Sequence, residues 1–138
     1  MNDNVVDFTN YNTSLMCEKA NELYNHGKYV EAIAIYTKLL ILFGDDVVLL
    51  YNLANAHYMH KNYAIAICYY SKCITSYNYA PAYHNYGMLL VDICEYDLAY
   101  SYLSQFIKLS IANGTGDDDF TKCAKSWIVN YQCTRNVN

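Results

Sequence analysis

Proline is almost missing from this chain: Pro81 stands alone among 138 residues, beside only five glycines. So few breakers exclude a loop-rich or collagen-like chain and allow long uninterrupted helices. Arginine is present only as Arg135, and nine basic residues face thirteen acidic ones for a net charge of -4. Sequence-independent nucleic-acid binding needs a lysine and arginine footprint, so that class is set aside. A basic helix lying on a membrane surface falls with it. Long apolar runs are missing too. The run from Leu39 to Phe43 is stopped by Gly44-Asp45-Asp46, and no membrane-spanning segment is expected. Met1 to Asn10 is polar and acid-containing, which argues against a secretory leader. There is no C-x-x-C pair, phosphate-cradling glycine loop or nucleophile elbow.

What the chain does have is tyrosine, at 17 residues, in a composition that is 54% hydrophobic and 16% charged. This is globular material of single-domain size, rich in side chains that pack along one face and keep a polar tip in water. Cys17, Cys68, Cys73, Cys94, Cys123 and Cys133 fall in helical patterns where a small apolar residue also fits. They are expected to be free, mostly buried thiols in a reducing compartment. The expected location is the cytoplasm.

Internal periodicity decides the fold. Gly27-Lys28-Tyr29-Val30-Glu31-Ala32-Ile33 returns as Lys61-Asn62-Tyr63-Ala64-Ile65-Ala66-Ile67 and again as Cys94-Glu95-Tyr96-Asp97-Leu98-Ala99-Tyr100. Tyr29, Tyr63 and Tyr96 lie 34 and 33 residues apart, and Ala32, Ala66 and Ala99 keep the same steps. A second small residue follows in phase at Ala20, Ala54 and Gly87, and a large apolar one at Tyr36, Tyr70 and Leu103. Antiparallel helices approach closely only where small side chains meet. Ala20 with Ala32, Ala54 with Ala66 and Gly87 with Ala99 are the expected crossings. The tyrosine opening each second helix should plug the turn, and the residue four further on shares its face. Apolar spacing is helical throughout, and no segment alternates with period two.

These residues resemble the tetratricopeptide repeat family, whose helix-turn-helix unit has a period of about 34. The stretch from Tyr51 to Tyr58 is similar to the family's first-helix pattern, and the resemblance covers roughly residues 13 to 112. It implies an all-α, right-handed alpha-alpha superhelix (solenoid) of three helix-turn-helix repeats plus a C-terminal capping helix. The expected boundaries are a flexible tail over 1–12, repeats over 13–46, 47–79 and 80–113, and a cap over 117–138. Two departures stand out: Lys19 replaces a large apolar residue in the first repeat, and the unit-closing proline is displaced to Pro81. The cap's stripe would be Phe120, Cys123, Ala124, Trp127, Ile128 and Tyr131. Val5, Val6 and Phe8 could fold back onto the first repeat.

Enzymatic signals are weak, and no catalysis, cofactor or metal is expected. His57 holds the packing position of Leu23 and Leu90 in the sister repeats, so a core role is expected for it. His57 and His60 lack a carboxylate or cysteine on the same turn to complete a zinc site. Asp117-Asp118-Asp119 lacks calcium-loop spacing and reads as a helix cap.

By the resemblance, the first helix of each repeat lines a concave groove. Its stripe is Cys17, Glu18, Asn21, Tyr24 and Asn25, then Val48, Tyr51, Asn52, Asn55, Tyr58 and Met59, then Pro81, His84, Asn85, Met88 and Asp92. The candidate peptide-binding residues are Asn21, Tyr24, Tyr51, Asn52, Asn55, Tyr58, His84, Asn85 and Met88. Asn52 with Asn85, and Asn21 with Asn55, stand at equivalent places, where amides could pair with an extended peptide backbone. The dicarboxylate clamp for heat-shock chaperone tails needs three cations where Cys17, Pro81 and Asn85 stand, and keeps only Asn21 and Asn52. Each lost charge-assisted contact forfeits on the order of 1.5–3 kcal/mol, which disfavours a co-chaperone role. The expectation is a protein-interaction module, a monomer or weak homo-oligomer, with a protein or peptide partner and neither nucleic acid nor membrane. A self-associating subunit of a larger assembly is the alternative.

Overall fold

The computed structural model describes residues 8–137, with side chains from residue 12 onward. The expected return of Val5, Val6 and the Phe8 side chain to the first repeat, and residues 1–7 of the expected 1–12 tail, lie outside what is described. Among the described residues seven helices follow one another: α1 (Phe8–Asn25), α2 (Tyr29–Phe43), α3 (Val47–Met59), α4 (Tyr63–Tyr77), α5 (Ala80–Asp92), α6 (Tyr96–Ala112) and α7 (Asp119–Arg135). No strand occurs among the described residues. α1 starts at Phe8, ahead of the expected repeat start at residue 13. No proline or glycine stands between them to stop it.

The three tyrosine-alanine stretches fold identically at their turns. Gly27, Lys61 and Cys94 all take left-handed backbone, with φ of 74°, 62° and 64°. The N–H of Lys28, Asn62 and Glu95 donates back to the carbonyl of Leu23, His57 and Leu90 at 2.9, 2.8 and 2.8 Å. The N–H of Gly27, Lys61 and Cys94 closes the inner bond to Tyr24, Tyr58 and Val91 at 2.9, 2.9 and 3.0 Å. This is the six-to-one, five-to-two pairing that ends a helix by satisfying its last carbonyls. The next helix begins at once, because the carbonyls of Lys28, Asn62 and Glu95 accept from Ala32, Ala66 and Ala99.

The other junctions use different chemistry. Asp46 caps α3, its carboxylate accepting from Val48 and Leu49 N–H at 2.9 and 3.0 Å. Pro81 lies in the first turn of α5, where its missing N–H costs nothing. Asp118 caps α7 by accepting from Thr121 N–H at 2.7 Å, as the acidic run implied.

The chain divides into two compact units, Met1–Ala66 and Ile67–Asn138. In the first, Ala20, Ala32, Leu39, Leu50, Leu53, Ala54 and Ala66 are fully buried. His57 is buried among them, as its register implied. In the second, Ala99, Leu103, Phe106 and Ala124 are buried with Tyr70 and Leu89. Tyr70 of α4 stacks on Tyr86 of α5, and Tyr86 leans on Tyr102 of α6 with centroids 4.6 Å apart. α7 closes this unit by packing Ala124, Trp127 and Ile128 against Leu103 and Phe106. Phe120, expected on the buried stripe, is instead 64% exposed.

The thiols need a correction. Cys73 is buried and Cys17 half-buried, but Cys68, Cys94, Cys123 and Cys133 are exposed. Cys94 belongs to a turn, and the other three lie on outer helix faces, where a helical register alone does not imply depth.

Candidate functional site

The side chains of α1 and α3 in the first unit build an open polar cleft. On α1, Asn21, Tyr24 and Asn25 fall on one face by their three- and four-residue spacing; Asn52 and Asn55 do the same on α3. Together with Tyr36 of α2 they line a cavity of about 360 Å³. Every lining side chain is an amide or a phenol. Among the described residues neither lysine nor arginine contributes.

Tyr36 forms the floor. Its ring is buried as the packing residue four positions after Ala32, yet its hydroxyl donates to Asn21 Oδ1 at 2.5 Å. Burial pushes its phenol up to about 12, with smaller contributions from Tyr24 and Cys17. It therefore remains a proton donor at any physiological pH. Burial also raises the phenol of Tyr24, helped by Tyr29, whose ring meets it edge-on at 5.5 Å. Asn25 and Asn52 form no side-chain hydrogen bond with the described residues, and Asn21 forms none besides the one from Tyr36.

Of the nine candidate residues, this cleft gathers Asn21, Tyr24, Asn52 and Asn55. Tyr51 and Tyr58 are half-buried on α3 and do not line it; Tyr58 turns to Tyr63, with centroids 5.9 Å apart. The other three candidates belong to the second unit. His84 is 8% exposed, wedged edge-on between Phe106 and Phe120 at 5.0 and 5.3 Å. Its Nδ1 pairs with Asn85 Oδ1 at 2.9 Å, and its Nε2 is buried with no hydrogen-bond partner. Met88 is half-buried against the Leu103, Phe106 and Ala124 cluster. Asn85 is half-buried beside His84.

Two features escaped the sequence. Tyr36 was read there only as a packing residue, although a tyrosine at that position in place of leucine signals a hydroxyl in need of a partner. The second is a cleft of about 620 Å³ on α6 and α7, lined by Tyr100, Tyr131, Gln132, Arg135 and Asn136. There Arg135 pairs with Asp97 at 2.8 Å, Tyr131 donates to the same carboxylate, and Gln132 donates to the Tyr100 hydroxyl at 3.0 Å. The 131–135 ends of this cluster lie in the cap, for which the repeat pattern sets no register.

Among the described residues, no three histidine, cysteine or acidic side chains converge as a metal site, and no helix is long and apolar enough to cross a membrane. No protein-family model matches the sequence, and no curated protein matches it. Solved structures do. The tetratricopeptide domain of Sgt2 from Aspergillus fumigatus matches with a TM-score of 0.79 and 20% identity, over 92% of this chain and 83% of that one. The Yersinia enterocolitica type III secretion chaperone SycD, solved with a peptide of the translocator YopD, matches with a TM-score of 0.81 and 20% identity, over 88% of this chain and 93% of that one. The first such domain of Spaghetti (RPAP3), bound to the HSP90 peptide SRMEEVD, gives a TM-score of 0.74 and 22% identity, over 88% and 93%. The chain has the all-α helical-repeat fold of tetratricopeptide domains.

Proposed function

We propose, from the tetratricopeptide fold as premise, that this chain is a protein-interaction module that holds an extended segment of a partner and performs no catalysis. The observation that carries the reading is the α1/α3 cleft: four asparagines and two tyrosines converge on one open surface, and three of the amides have hydrogen-bonding capacity to spare. An extended peptide presents alternating N–H and C=O groups along its length. Amides, which both donate and accept, suit such a ligand. Structural neighbours are described in peptide complexes, SycD with its YopD peptide and RPAP3 with its HSP90 peptide, which supports the same use here. In the second unit, Asn85 and Met88 are offered as further contact residues. A cytoplasmic location goes with this reading.

The chaperone-tail variant is disfavoured, because Cys17, Pro81 and Asn85 stand where that clamp has cations. Self-association is a second reading with its own support: Ile41, Leu42 and Phe43 at the end of α2 are 79, 58 and 49% exposed. Adjacent apolar side chains left in water mark interaction surfaces. Mass measured against concentration separates the two. Affinity capture from native extract tests the first, comparing wild type with Asn52→Ala/Asn55→Ala. A partner retained by wild type and lost by the variant is expected, and equal retention would overturn the groove.

A further inference from the structure

We infer that the α1/α3 cleft selects a neutral amide carbonyl and rejects a carboxylate. This rests on the peptide-groove reading and adds the chemistry of the group it takes. The argument begins at Asn21. An amide side chain has one accepting end and one donating end, and Tyr36 has already engaged the accepting end by donating to Oδ1 at 2.5 Å. The hydroxyl making that bond is buried beneath the cleft, so the amide is held in one orientation. Asn21 Nδ2 has no partner among the described residues, and the residue is exposed, so it offers N–H groups to an incoming ligand. The ligand group facing Nδ2 must therefore accept.

Two acceptors are common in peptides: the neutral carbonyl of an amide and the carboxylate of an acidic side chain or chain end. The cleft decides between them by charge. A carboxylate brought out of water needs a cation or several strong donors to replace its hydration. Among the described residues the lining supplies amides and phenols only. A neutral carbonyl incurs far less desolvation and meets the Asn21 donors directly. It could come from the main chain or from a glutamine or asparagine side chain.

Three acetylated, amidated hexapeptides distinguish the sources: alternating Ser-Gln, Ser-Ala and Ser-Glu, titrated into the full chain while the side-chain amide resonances of Asn21, Asn52 and Asn55 are followed by NMR. The Ser-Gln peptide is expected to move these resonances and to bind about tenfold or more tighter than Ser-Glu, a ratio fixed by one to two spoiled contacts. Ser-Ala equal to Ser-Gln assigns recognition to main-chain carbonyls; Ser-Ala weaker than Ser-Gln assigns it to the side chain. Both support selection of a neutral carbonyl. Asn25→Lys, an exposed change at the cleft, should reverse the preference toward Ser-Glu. If wild type binds Ser-Glu as tightly as Ser-Gln, at the same resonances, the selectivity is overturned while the peptide groove stands. If none of the three peptides moves them at millimolar concentration, the groove falls as well.

Discussion

Leu103 of α6 lies directly over the backbone of Gly87 on α5: a β-carbon at Gly87 would sit 2.7 Å from both Cγ and Cδ2 of Leu103. The in-phase small residue of the third repeat is a glycine because a leucine from the facing helix occupies the space a methyl would need. Gly87→Ala is expected to destabilise the fold by about 1–3 kcal/mol despite alanine's better helix propensity, since Leu103 is fully buried and has little room to retreat. Chemical denaturation measures it. A neutral or stabilising result would mean that the two helices separate freely.

The turns offer the opposite experiment. Lys61 and Cys94 hold the left-handed conformation that Gly27 adopts in the equivalent place. Side chains pay for that backbone and glycine does not. Lys61→Gly and Cys94→Gly should each stabilise by up to about 1 kcal/mol, and the double variant should be nearly additive because the sites belong to different turns. Thermal melting checks both. Gly27→Ala should cost a similar amount.

His57 gives the first unit a pH dependence. Burial, and then the neighbouring His60, lower its imidazole below the ordinary 6.5. Between that lowered value and 6.5 the unfolded chain holds more protons than the folded one, so stability rises with pH in this window and is lost as pH falls through it. His57→Leu, matching Leu23 and Leu90 in the sister repeats, should remove this contribution. The melting temperatures of variant and wild type should diverge more at pH 5 than at pH 7.5. A constant difference across that range would contradict the assignment.

The cap is held by apolar packing more than by charge. Arg135 and Asp97 form an ion pair at 2.8 Å, yet both side chains are largely exposed, and such pairs contribute about 1 kcal/mol or less. Trp127 packs against the Leu103, Phe106 and Ala124 cluster and stacks on Tyr131 with centroids 5.2 Å apart. Trp127→Ala should therefore cost about 2–4 kcal/mol and Arg135→Ala less than about 1 kcal/mol. The second loss should shrink further in high salt.

These contrasts also mark how far the sequence could be read. Helix pairs, turn positions and the buried phase of Ala20, Ala32, Ala54, Ala66 and Ala99 were legible, because a repeat states the same packing solution three times. Gly87 was legible as a close approach, but its neighbour was not: Ala99 was expected there and Leu103 lies closest. Depth was harder. His84 carries the groove register, yet α7 sets Phe120 against its ring, and no repeat pattern fixes where a cap lands. The exposed cysteines repeat the lesson, since spacing identifies a face and only the packing partner decides whether that face is covered. Tyr36 fulfils two roles at once, and the apolar pattern in which it was found conceals its hydroxyl.

The most direct test of the central claim is the affinity of a captured partner segment for wild type and for Asn52→Ala/Asn55→Ala, measured by calorimetry at matched fold content. Loss of two to three amide hydrogen bonds predicts weakening of about tenfold or more. Equal affinities would place the partner elsewhere on the chain and contradict the account.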